Sequence, residues 1–288
     1  MRVIRDLGEL REVTARLRAE GRPLGFVPTM GALHRGHLAL VEEARRQAGG
    51  AKAAVAVSIF VNPLQFGPNE DLSRYPRDEA GDLEKLRGVG CDLVWMPPVE
   101  VMYPAGAATV VEVAGPSEGF EGAARPGHFR GVATVCSKLF NQTGADLAVF
   151  GEKDWQQLQV VRRMVADLDM RVRIIGHPTV REPDGLAFSS RNQRLTPGER
   201  ALAPLLARTM NEAIAAMAEG AEPGETLDAA AAGLRRAGFA PDYLALVEPA
   251  TLRPWPAAQG GEARLLAAAR LGDVRLLDNM PVRLSGSR

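Results

Sequence analysis

Cysteine and lysine are scarce in this chain of 288 residues. Only Cys91 and Cys136 occur, neither in a CxxC pair nor at zinc-ligand spacing, so we expect two reduced, buried thiols rather than a disulfide framework. Only four of the 35 basic residues are lysine, and 35 acidic residues bring the formal net charge to zero. Nucleic-acid binders usually carry a basic excess, so this balance argues against nucleic acid as a partner.

Long apolar runs are also missing. The opening MRVIRDLGELREV is charged and amphipathic, without the apolar run of a signal peptide, and no later stretch reaches membrane-spanning length. We therefore expect a soluble, cytoplasmic protein with no membrane partner. A hydrophobic content of 46% is enough for a full core in one large domain or two smaller ones.

Helical and extended patterns alternate along the first 178 residues. Apolar stretches predict buried strands, the amphipathic stretches between them predict helices, and repeated βα units indicate a parallel sheet covered by helices on both faces. The predicted strands are 24–27, 53–61, 91–96, 146–150 and 171–175, with a β-rich stretch at 109–113. The predicted helices are 6–19, 37–47, 78–86, 132–141 and 155–168.

The pattern changes after Pro178. Two alanine-rich helical patterns, at about 197–219 and 225–237, are followed by apolar segments at 243–247, 263–269 and 274–277. These segments lie too close together for helical crossovers, so they predict an antiparallel sheet. The sequence therefore predicts two domains, an α/β domain over 1–178 and a smaller α+β domain over 179–288.

The segment 28–37, PTMGALHRGH, follows the first long predicted strand and runs directly into a helix. Open α/β sheets bind ligands at the carboxyl ends of their strands, and a helix start adds free N–H groups and a positive dipole end that suit phosphate. Gly31 and Gly36 allow the backbone to approach a nucleotide closely. His34 and His37, three residues apart, can donate hydrogen bonds to phosphate oxygens.

This histidine pair has two other interpretations. The rings can simply pack in the protein, but the strand–loop–helix setting favours a phosphate site. Zinc sites usually need three or four protein ligands, and no matching cysteine or third histidine lies nearby in sequence. We therefore favour nucleotide binding.

A second cluster, 150–158, lies where another predicted strand meets a helix. Gly151 allows close backbone approach, and Lys153 supplies a point charge for phosphate. Gln157, one helical turn beyond Lys153, can bond a substrate hydroxyl or carboxylate. A solvated charged run at a helix start is the alternative for this cluster.

A third cluster, SSRN, falls just after the predicted domain junction. The hydroxyls of Ser189 and Ser190 and the guanidinium of Arg191 suit triphosphate oxygens, although an ST-turn before the next helix is the alternative.

Two further loops contain polar groups for a small substrate. Asn62 and Gln65 lie in the loop after the predicted strand 53–61. Residues 125–132 lead into a helix and predict an apolar wall with a polar rim.

Five ordered segments between about residues 24 and 195 closely resemble the pantoate–β-alanine ligase family: PTMGALHRGH, FVNPLQFGPNEDLSRYPR, RPGHFRGVATV, FGEKDWQQL and DGLAFSSRN. His34-Arg35-Gly36-His37 matches the HIGH-type signature of the nucleotidyltransferase superfamily. The resemblance implies a Rossmann-like parallel-sheet domain, a smaller α+β lid domain with an antiparallel sheet, and a homodimer. It also implies condensation of pantoate with β-alanine through a pantoyl-adenylate, using ATP and Mg²⁺ and releasing AMP and pyrophosphate.

The resemblance also implies roles for individual residues. Catalytic roles fall to His34, His37 and Lys153. Pantoate or β-alanine binding falls to Pro28, Asn62, Gln65 and Gln157. ATP binding falls to Met30, Gly31, Ala32, Leu33, His34, Arg35, Gly36, His37, Gly151, Glu152, Lys153, Asp154, Val180, Phe188, Ser189, Ser190 and Arg191. Two positions depart from the family: Phe188 stands where Met or Leu is more frequent, and Trp155 where Tyr is common.

The metal ligands and two rival functions stay open. The family needs Mg²⁺, and no direct ligand can be chosen among Asp78, Glu79, Asp82 and Glu84. A related nucleotidyltransferase would keep AMP in its product, and a non-catalytic regulator would bind ATP without releasing pyrophosphate. A protein acting on transfer RNA is disfavoured by the neutral charge and the short second domain.

Overall fold

The chain folds into two compact units, each with its own sheet. The structure, a computed structural model, describes residues 1–67, 72, 75–256 and 260–284. The first unit comprises Met1–Glu152 and Gln156–Pro178, and the second comprises Lys153–Trp155 and Thr179–Arg288. Residues 68–71 and 73–74, which belong to the family-like segment that begins at Phe60, lie outside the described residues.

A six-stranded parallel sheet forms the centre of the first unit. Its strands are β1 (Arg2–Ile4), β2 (Leu24–Thr29), β3 (Ala54–Ile59), β4 (Leu93–Trp95), β5 (Leu147–Gly151) and β6 (Arg173–His177). They lie in the order β1-β4-β3-β2-β5-β6, and every neighbouring pair is parallel. The prediction of a parallel sheet from alternating patterns is therefore confirmed.

Helices cover both faces of this sheet. The helices along this part of the chain are α1 (Leu7–Ala19), α2 (Arg35–Ala48), α3 (Glu79–Gly88), α4 (Val99–Met102), α5 (Phe120–Ala124), α6 (His128–Thr143) and α7 (Trp155–Asp167). Successive side chains of a strand point to opposite faces. Val27 lies in one apolar core with Val41 and Ala44 of α2, while Phe26 meets Phe140 of α6 edge to face with ring centroids 6.3 Å apart.

A glycine lets α2 lie close to the middle of the sheet. A Cβ on Gly25 of β2 would lie 2.9 Å from the carbonyl oxygen of Ala44, closer than carbon and oxygen can approach. The missing side chain therefore lets α2 pack directly on the backbone of β2.

The second unit is a three-stranded antiparallel sheet packed on helices. Its helices are α8 (Pro197–Leu202), α9 (Leu205–Ala218) and α10 (Pro223–Arg236), and its strands are β7 (Ala240–Val247), β8 (Gly261–Leu271) and β9 (Val274–Leu284), in the order β7-β8-β9. The core joins Leu206 and Met210 of α9 and Leu234 of α10 to Leu265 of β8. The predicted antiparallel sheet is confirmed.

The structure differs from the sequence-based elements at several places, and the short helices α4 and α5 were not predicted either. Residues 109–113 form no strand, and the Val111 N–H donates instead to Thr134 Oγ1 of α6 at 3.0 Å. The edge strand β1 was not predicted, because three residues are too few to show a period. The helical pattern at 197–219 is two helices, since Pro204 lacks an N–H and ends the first of them.

Among the residues that the structure describes, no helix has the length and apolar character needed to cross a membrane.

Candidate functional site

Three loops begin at one edge of the first unit's sheet. Strands β3, β2 and β5 are adjacent and parallel, so the loops that follow them start from the same edge. The chain order reverses between β2 and β5, and the crevice at such a point is the usual ligand site of open α/β sheets. This topology places one group of predicted residues along that edge: Pro28, Met30 to His37, Asn62, Gln65, Gly151, Glu152 and Gln157.

The backbone turns sharply just after β2. Gly31 and Ala32 have φ values of +86° and +52°, so two consecutive residues adopt the left-handed conformation that strains an alanine. Thr29 supports the turn, because its hydroxyl donates to the carbonyl oxygen of Ser58 at 2.7 Å and accepts the Gly31 N–H at 3.2 Å. The turn leads directly into α2.

His34 and His37 cap the helix that they begin. The Nδ1 atom of His34 accepts the N–H of Gly36 at 3.2 Å, and the Nδ1 atom of His37 accepts the N–H of His34 at 3.3 Å. Together these bonds form a capping box built from two imidazoles. The ring centroids lie 4.0 Å apart. A neutral imidazole that accepts at Nδ1 carries its proton on Nε2, so each ring has an Nε2–H donor.

The expectation of free backbone N–H groups at this helix start is wrong for several residues. The N–H groups of His34 and Gly36 donate to the two imidazoles, and that of His37 donates to the carbonyl oxygen of His34 at 2.8 Å. The imidazoles therefore take up backbone N–H groups of this helix start through Nδ1, which leaves Nε2–H as the donor atom of each ring.

Asn62 is a buried anchor for the loop after β3. Its Nδ2 atom donates to the side-chain oxygen of Gln65 and to the carbonyl oxygen of Gly131, both at 3.0 Å. Its Oδ1 atom accepts the Leu64 N–H at 3.2 Å and the Tyr103 hydroxyl at 2.8 Å. Burial raises the pKa of the Tyr103 phenol, so this hydroxyl stays protonated and donates. Asn62 therefore fixes Gln65 rather than reading a ligand directly.

The cluster 125–132 packs against the same loop. His128 Nδ1 lies 3.0 Å from the carbonyl oxygen of Gln65, and Arg125 Nη2 donates to that oxygen at 3.2 Å. Gly131 permits this packing, because a Cβ there would lie 2.8 Å from the Gln65 nitrogen and closer still to the carbonyl of Leu64. The two further loops predicted to carry polar groups, the loop after β3 and residues 125–132, thus form one structural assembly around Gln65.

The two glutamines at the start of α7 have different surroundings. Gln156 is buried, accepts the Glu121 N–H at 2.9 Å, and donates to the carbonyl oxygens of Pro116 and Glu118, both at 3.0 Å. Gln157 is partly exposed, and no hydrogen bond of its side chain occurs within the described part of the chain. Gln156 is therefore structural, whereas the amide of Gln157 is available to a ligand.

Gly151 and Glu152 end β5 in different ways. A Cβ on Gly151 would meet no atom of the described residues within 4 Å, so the space above this backbone is open. The Glu152 side chain instead lies over Gly176 of β6, where a Cβ would be 3.0 Å from its Oε1. The close approach of a ligand to the Gly151 backbone stays a prediction, for which this space leaves room.

In the second unit, the Lys153–Trp155 segment is held by β8, β9 and the loop after β7. Asn279 of β9 donates to the carbonyl oxygen of Lys153 at 2.8 Å. The Trp155 indole N–H donates to the carbonyl oxygen of Pro249 at 2.8 Å, and Arg264 of β8 stacks on the ring. These contacts give the unusual tryptophan both a hydrogen bond and a cation–π partner.

The serine cluster of this unit begins a short 3-10 helix, Ser190–Arg194. The Ser189 hydroxyl accepts the Arg191 N–H at 3.2 Å, which forms the ST-turn that is the alternative interpretation of this cluster. Accepting this bond leaves the hydroxyl proton free to be donated, so the turn and a phosphate contact are compatible. The Phe188 N–H donates to the carbonyl oxygen of Val180 at 3.0 Å, which joins two further predicted positions.

A small pocket lies entirely within the second unit. Its lining is partly apolar and partly polar. The polar residues are Lys153, Ser189, Asn192, Arg275 and Asp278. Asp278 is paired with Arg181 through two hydrogen bonds of 2.6 and 2.9 Å, so its negative charge is compensated. The pocket thus brings predicted residues Lys153 and Ser189 together.

Arg264 and Asn279 were not predicted from the sequence. Neither lies in a recognisable motif, and Asn279 is 126 residues from the Lys153 that it contacts. No local pattern of the chain could have shown this pair.

Comparison with known proteins gives a consistent result. The family model described as pantoate-beta-alanine ligase matches residues 2–281. The pantothenate synthetase of Rhizorhabdus wittichii is 55% identical over 283 residues, covering 98% of this chain and 99% of that protein. That of Acidiphilium cryptum is 54% identical, covering 98% of this chain and 100% of that protein.

Solved structures agree with the sequence comparisons. The crystal structure of pantothenate synthetase from Thermus thermophilus has a TM-score of 0.89 at 50% identity, covering 97% of this chain and 99% of that one. Pantoate-beta-alanine ligase from Francisella tularensis, complexed with beta-gamma ATP and beta-alanine, has a TM-score of 0.79 at 30% identity and covers 97% of both chains.

Proposed function

Because the chain belongs to the pantoate–β-alanine ligase family, we propose that it condenses pantoate with β-alanine, using ATP and releasing AMP and pyrophosphate. The observation that carries the proposal is the histidine pair at the carboxyl end of β2. Both Nδ1 atoms accept backbone N–H groups, so both rings have their protons on Nε2. Two such donors at a helix start suit the oxygens of a nucleotide phosphate.

The first step activates the acid. A carboxylate is a poor acyl donor because oxide would have to leave, whereas an acyl-adenylate releases AMP. A pantoate carboxylate oxygen attacks the α-phosphorus of ATP, the bond to the bridging oxygen breaks, and pyrophosphate leaves with the electron pair. His34, His37 and Lys153 stabilise the negative charge that builds on the phosphate oxygens.

The second step forms the amide. The neutral amine of β-alanine attacks the acyl carbonyl, the bond from the carbonyl carbon to the AMP oxygen breaks, and the amine loses a proton. This step depends on positioning and on protection of the mixed anhydride from water. Gln65 and Gln157 supply amide groups for the hydroxyls and carboxylate of pantoate, and Ser189, Ser190 and Arg191 contribute contacts to ATP.

Magnesium enters the proposal as part of the nucleotide substrate. Within the described ranges, no group of three or more His, Cys, Asp or Glu side chains could hold a metal ion. Mg²⁺ typically keeps several waters and binds through substrate phosphates with only one or two carboxylates. The described residues therefore form no all-protein cage for a metal, and Mg²⁺ would be held mainly by the nucleotide phosphates.

The proposal also includes a homodimer in the cytoplasm, as the resemblance implies. Light scattering of the purified protein would test the first part, since a monomer at micromolar concentration contradicts it.

Pyrophosphate and AMP release from ATP and Mg²⁺ tests the central proposal. Purified protein is incubated with pantoate, with and without β-alanine, and pantothenate is quantified. Turnover that needs both substrates and yields free AMP supports the ligase. AMP retained in the product would indicate the related nucleotidyltransferase, and absence of pyrophosphate release with pantoate would contradict the proposal.

A further inference from the structure

A buried carboxylate contacts the loop that leads to the two histidines. Asp82 lies in α3, 1% exposed, and reaches the turn after β2 from another part of the chain. Its Oδ2 atom accepts the N–H of Ala32 at 2.8 Å, and its Oδ1 atom accepts the N–H of Leu33 at 2.7 Å. Hydrogen bonds to a charged acceptor are stronger than those between neutral groups.

These two hydrogen bonds hold the part of the loop whose backbone conformation is least favourable by itself. Gly31 and Ala32 both have positive φ values, and an alanine in this conformation needs surrounding contacts to keep it there. Leu33 is buried in the core of the first unit, and His34 follows at once. The position of the carboxylate therefore determines where α2 begins and how its two imidazoles are presented.

The charge of Asp82 is otherwise unfavourable at this place. A carboxylate near a loop that binds an anionic nucleotide repels it, unless the charge is compensated. Here the two backbone N–H groups and Lys85, whose Nζ lies 3.6 Å from Oδ1, supply that compensation. Its burial and two backbone bonds distinguish Asp82 from Asp78, which caps α3 by accepting the Gly81 N–H at 3.0 Å.

We propose that Asp82 is a positioning residue for adenylation, which holds the 31–33 turn so that His34 and His37 meet the nucleotide phosphates. The inference rests on the proposed function. Asp82 is one of the four acidic residues that the sequence left open as metal ligands. In this proposal it holds the loop and does not bind a metal.

Asp82→Asn tests this role. The variant keeps the size of the side chain, but its amide N–H₂ group faces a backbone N–H group and one acceptor is lost. The kcat/KM for ATP in pantoate-dependent pyrophosphate release should fall at least about tenfold, about 1.4 kcal/mol. The KM for β-alanine should stay within about twofold, because the loop acts in the first step. Values of kcat/KM for ATP within about twofold of the unmodified protein would overturn the proposal.

A matched control is Asp92→Asn. Asp92 also accepts a backbone N–H, that of Val55 at 2.8 Å, and bonds Arg45 at 2.7 Å, but it lies at the amino ends of the strands. Its variant should lose stability without losing kcat/KM for ATP. If both variants lose activity only in proportion to their thermal stability, Asp82 is merely structural and the proposal fails.

A rescue variant separates positioning from folding. Glycine adopts positive φ without strain, so Ala32→Gly added to Asp82→Asn should restore at least part of the lost kcat/KM for ATP. A double variant whose kcat/KM for ATP is no higher than that of Asp82→Asn alone contradicts the proposal. Should Asp82→Asn give too little folded protein, Asp82→Glu replaces it, because it keeps both acceptor oxygens but moves them by one methylene. A tenfold loss of kcat/KM for ATP in Asp82→Glu supports the positioning role, and a loss below twofold contradicts it.

The two proposals can fail separately. If the unmodified protein releases no pyrophosphate with pantoate, the proposed function fails, and Asp82 is then tested by calorimetric titration with MgATP alone. Weaker binding of MgATP by Asp82→Asn than by Asp92→Asn supports the positioning role in that case, and equal binding contradicts it.

Discussion

Arg264 stacks on Trp155, with its guanidinium carbon 3.7 Å from the centre of the indole ring. The same guanidinium donates through Nε to Asn279 Oδ1 at 2.7 Å, and Asn279 Nδ2 donates to the carbonyl oxygen of Lys153 at 2.8 Å. Two side chains of the second unit thus hold both ends of the Lys153–Trp155 segment. The backbone that carries the Lys153 ammonium therefore has a defined place within this unit.

Asn279→Ala should lower the free energy of unfolding by about 1–3 kcal/mol. Asn279 is 4% exposed, and the variant removes two of its hydrogen bonds, a buried one from Arg264 and a partly buried one to Lys153. Urea denaturation of the unmodified and variant proteins measures the change. Asn211→Ala is the control, since Asn211 is an exposed residue of α9 that donates only to its own helix, at Ala207. Equal stability losses in the two variants would contradict the proposed anchor.

His37→Ala should slow pantoate-dependent pyrophosphate release about a hundredfold, because one charge-directed donor is worth ~3 kcal/mol. It should also weaken α2 by ~1 kcal/mol, because the Nδ1 cap of the His34 N–H is lost. His37→Asn separates the two effects, since its amide oxygen can still accept that N–H while the Nε2–H donor is gone. Activity near that of the unmodified protein in His37→Asn would refute the assigned role.

Gly131→Ala should destabilise the assembly around Gln65 by ~1–3 kcal/mol. A methyl group there would collide with the Leu64 carbonyl and lie 2.8 Å from the Gln65 nitrogen. Because Gln65 would move, the KM for pantoate should rise more than the KM for ATP. Steady-state kinetics with each substrate varied in turn would show the difference.

Gly88→Ala is the matched control for that variant. Gly88 ends α3, and a Cβ there would meet no atom of the described residues within 4 Å. The alanine should leave both KM values unchanged and keep or slightly raise stability, by less than ~1 kcal/mol.

The two thiols should be unreactive in the folded protein. Burial raises the pKa of both Cys91 and Cys136 to about 12, so almost no thiolate exists at pH 8. A thiol-exchange reagent should therefore label neither residue in buffer and both in guanidinium chloride. Rapid labelling of the native protein would contradict the burial of these groups.

The same shifts predict a loss of stability at alkaline pH. A thiol pKa raised from 9.0 to about 12 means that the folded state favours the protonated thiol. This preference stabilises the folded protein fully below pH 9, and the stabilisation is lost between about pH 9 and 12. When the pH rises from 8 to 10, the free energy of unfolding should fall by ~1 kcal/mol for each thiol. Cys136→Ala should show a smaller decrease over this interval than the unmodified protein.

Local patterns predicted most of the regular elements. Apolar stretches correctly located β2 and β5, because strands buried on both faces are continuously hydrophobic. They were misleading at residues 109–113, where β-branched residues form no strand and Val110 is 54% exposed. Composition alone cannot show whether a neighbouring strand is available for pairing.

The chain's own sequence determined the local chemistry of the site. The spacing of His34 and His37 placed both rings at the start of α2, and the glycines allowed the sharp turn before them. Short-range hydrogen bonds of this kind need only neighbouring residues, so they can be read along the chain.

Only the tertiary structure decided which distant groups support that chemistry. Asp82 reaches Ala32 across 50 residues and Asn279 reaches Lys153 across 126, in contacts that no motif announces. It also showed that Asn62 anchors Gln65 rather than facing a ligand. The physical reason is that a buried carboxylate or amide takes its role from the hydrogen-bond partners that packing brings to it, and those partners are set by the fold.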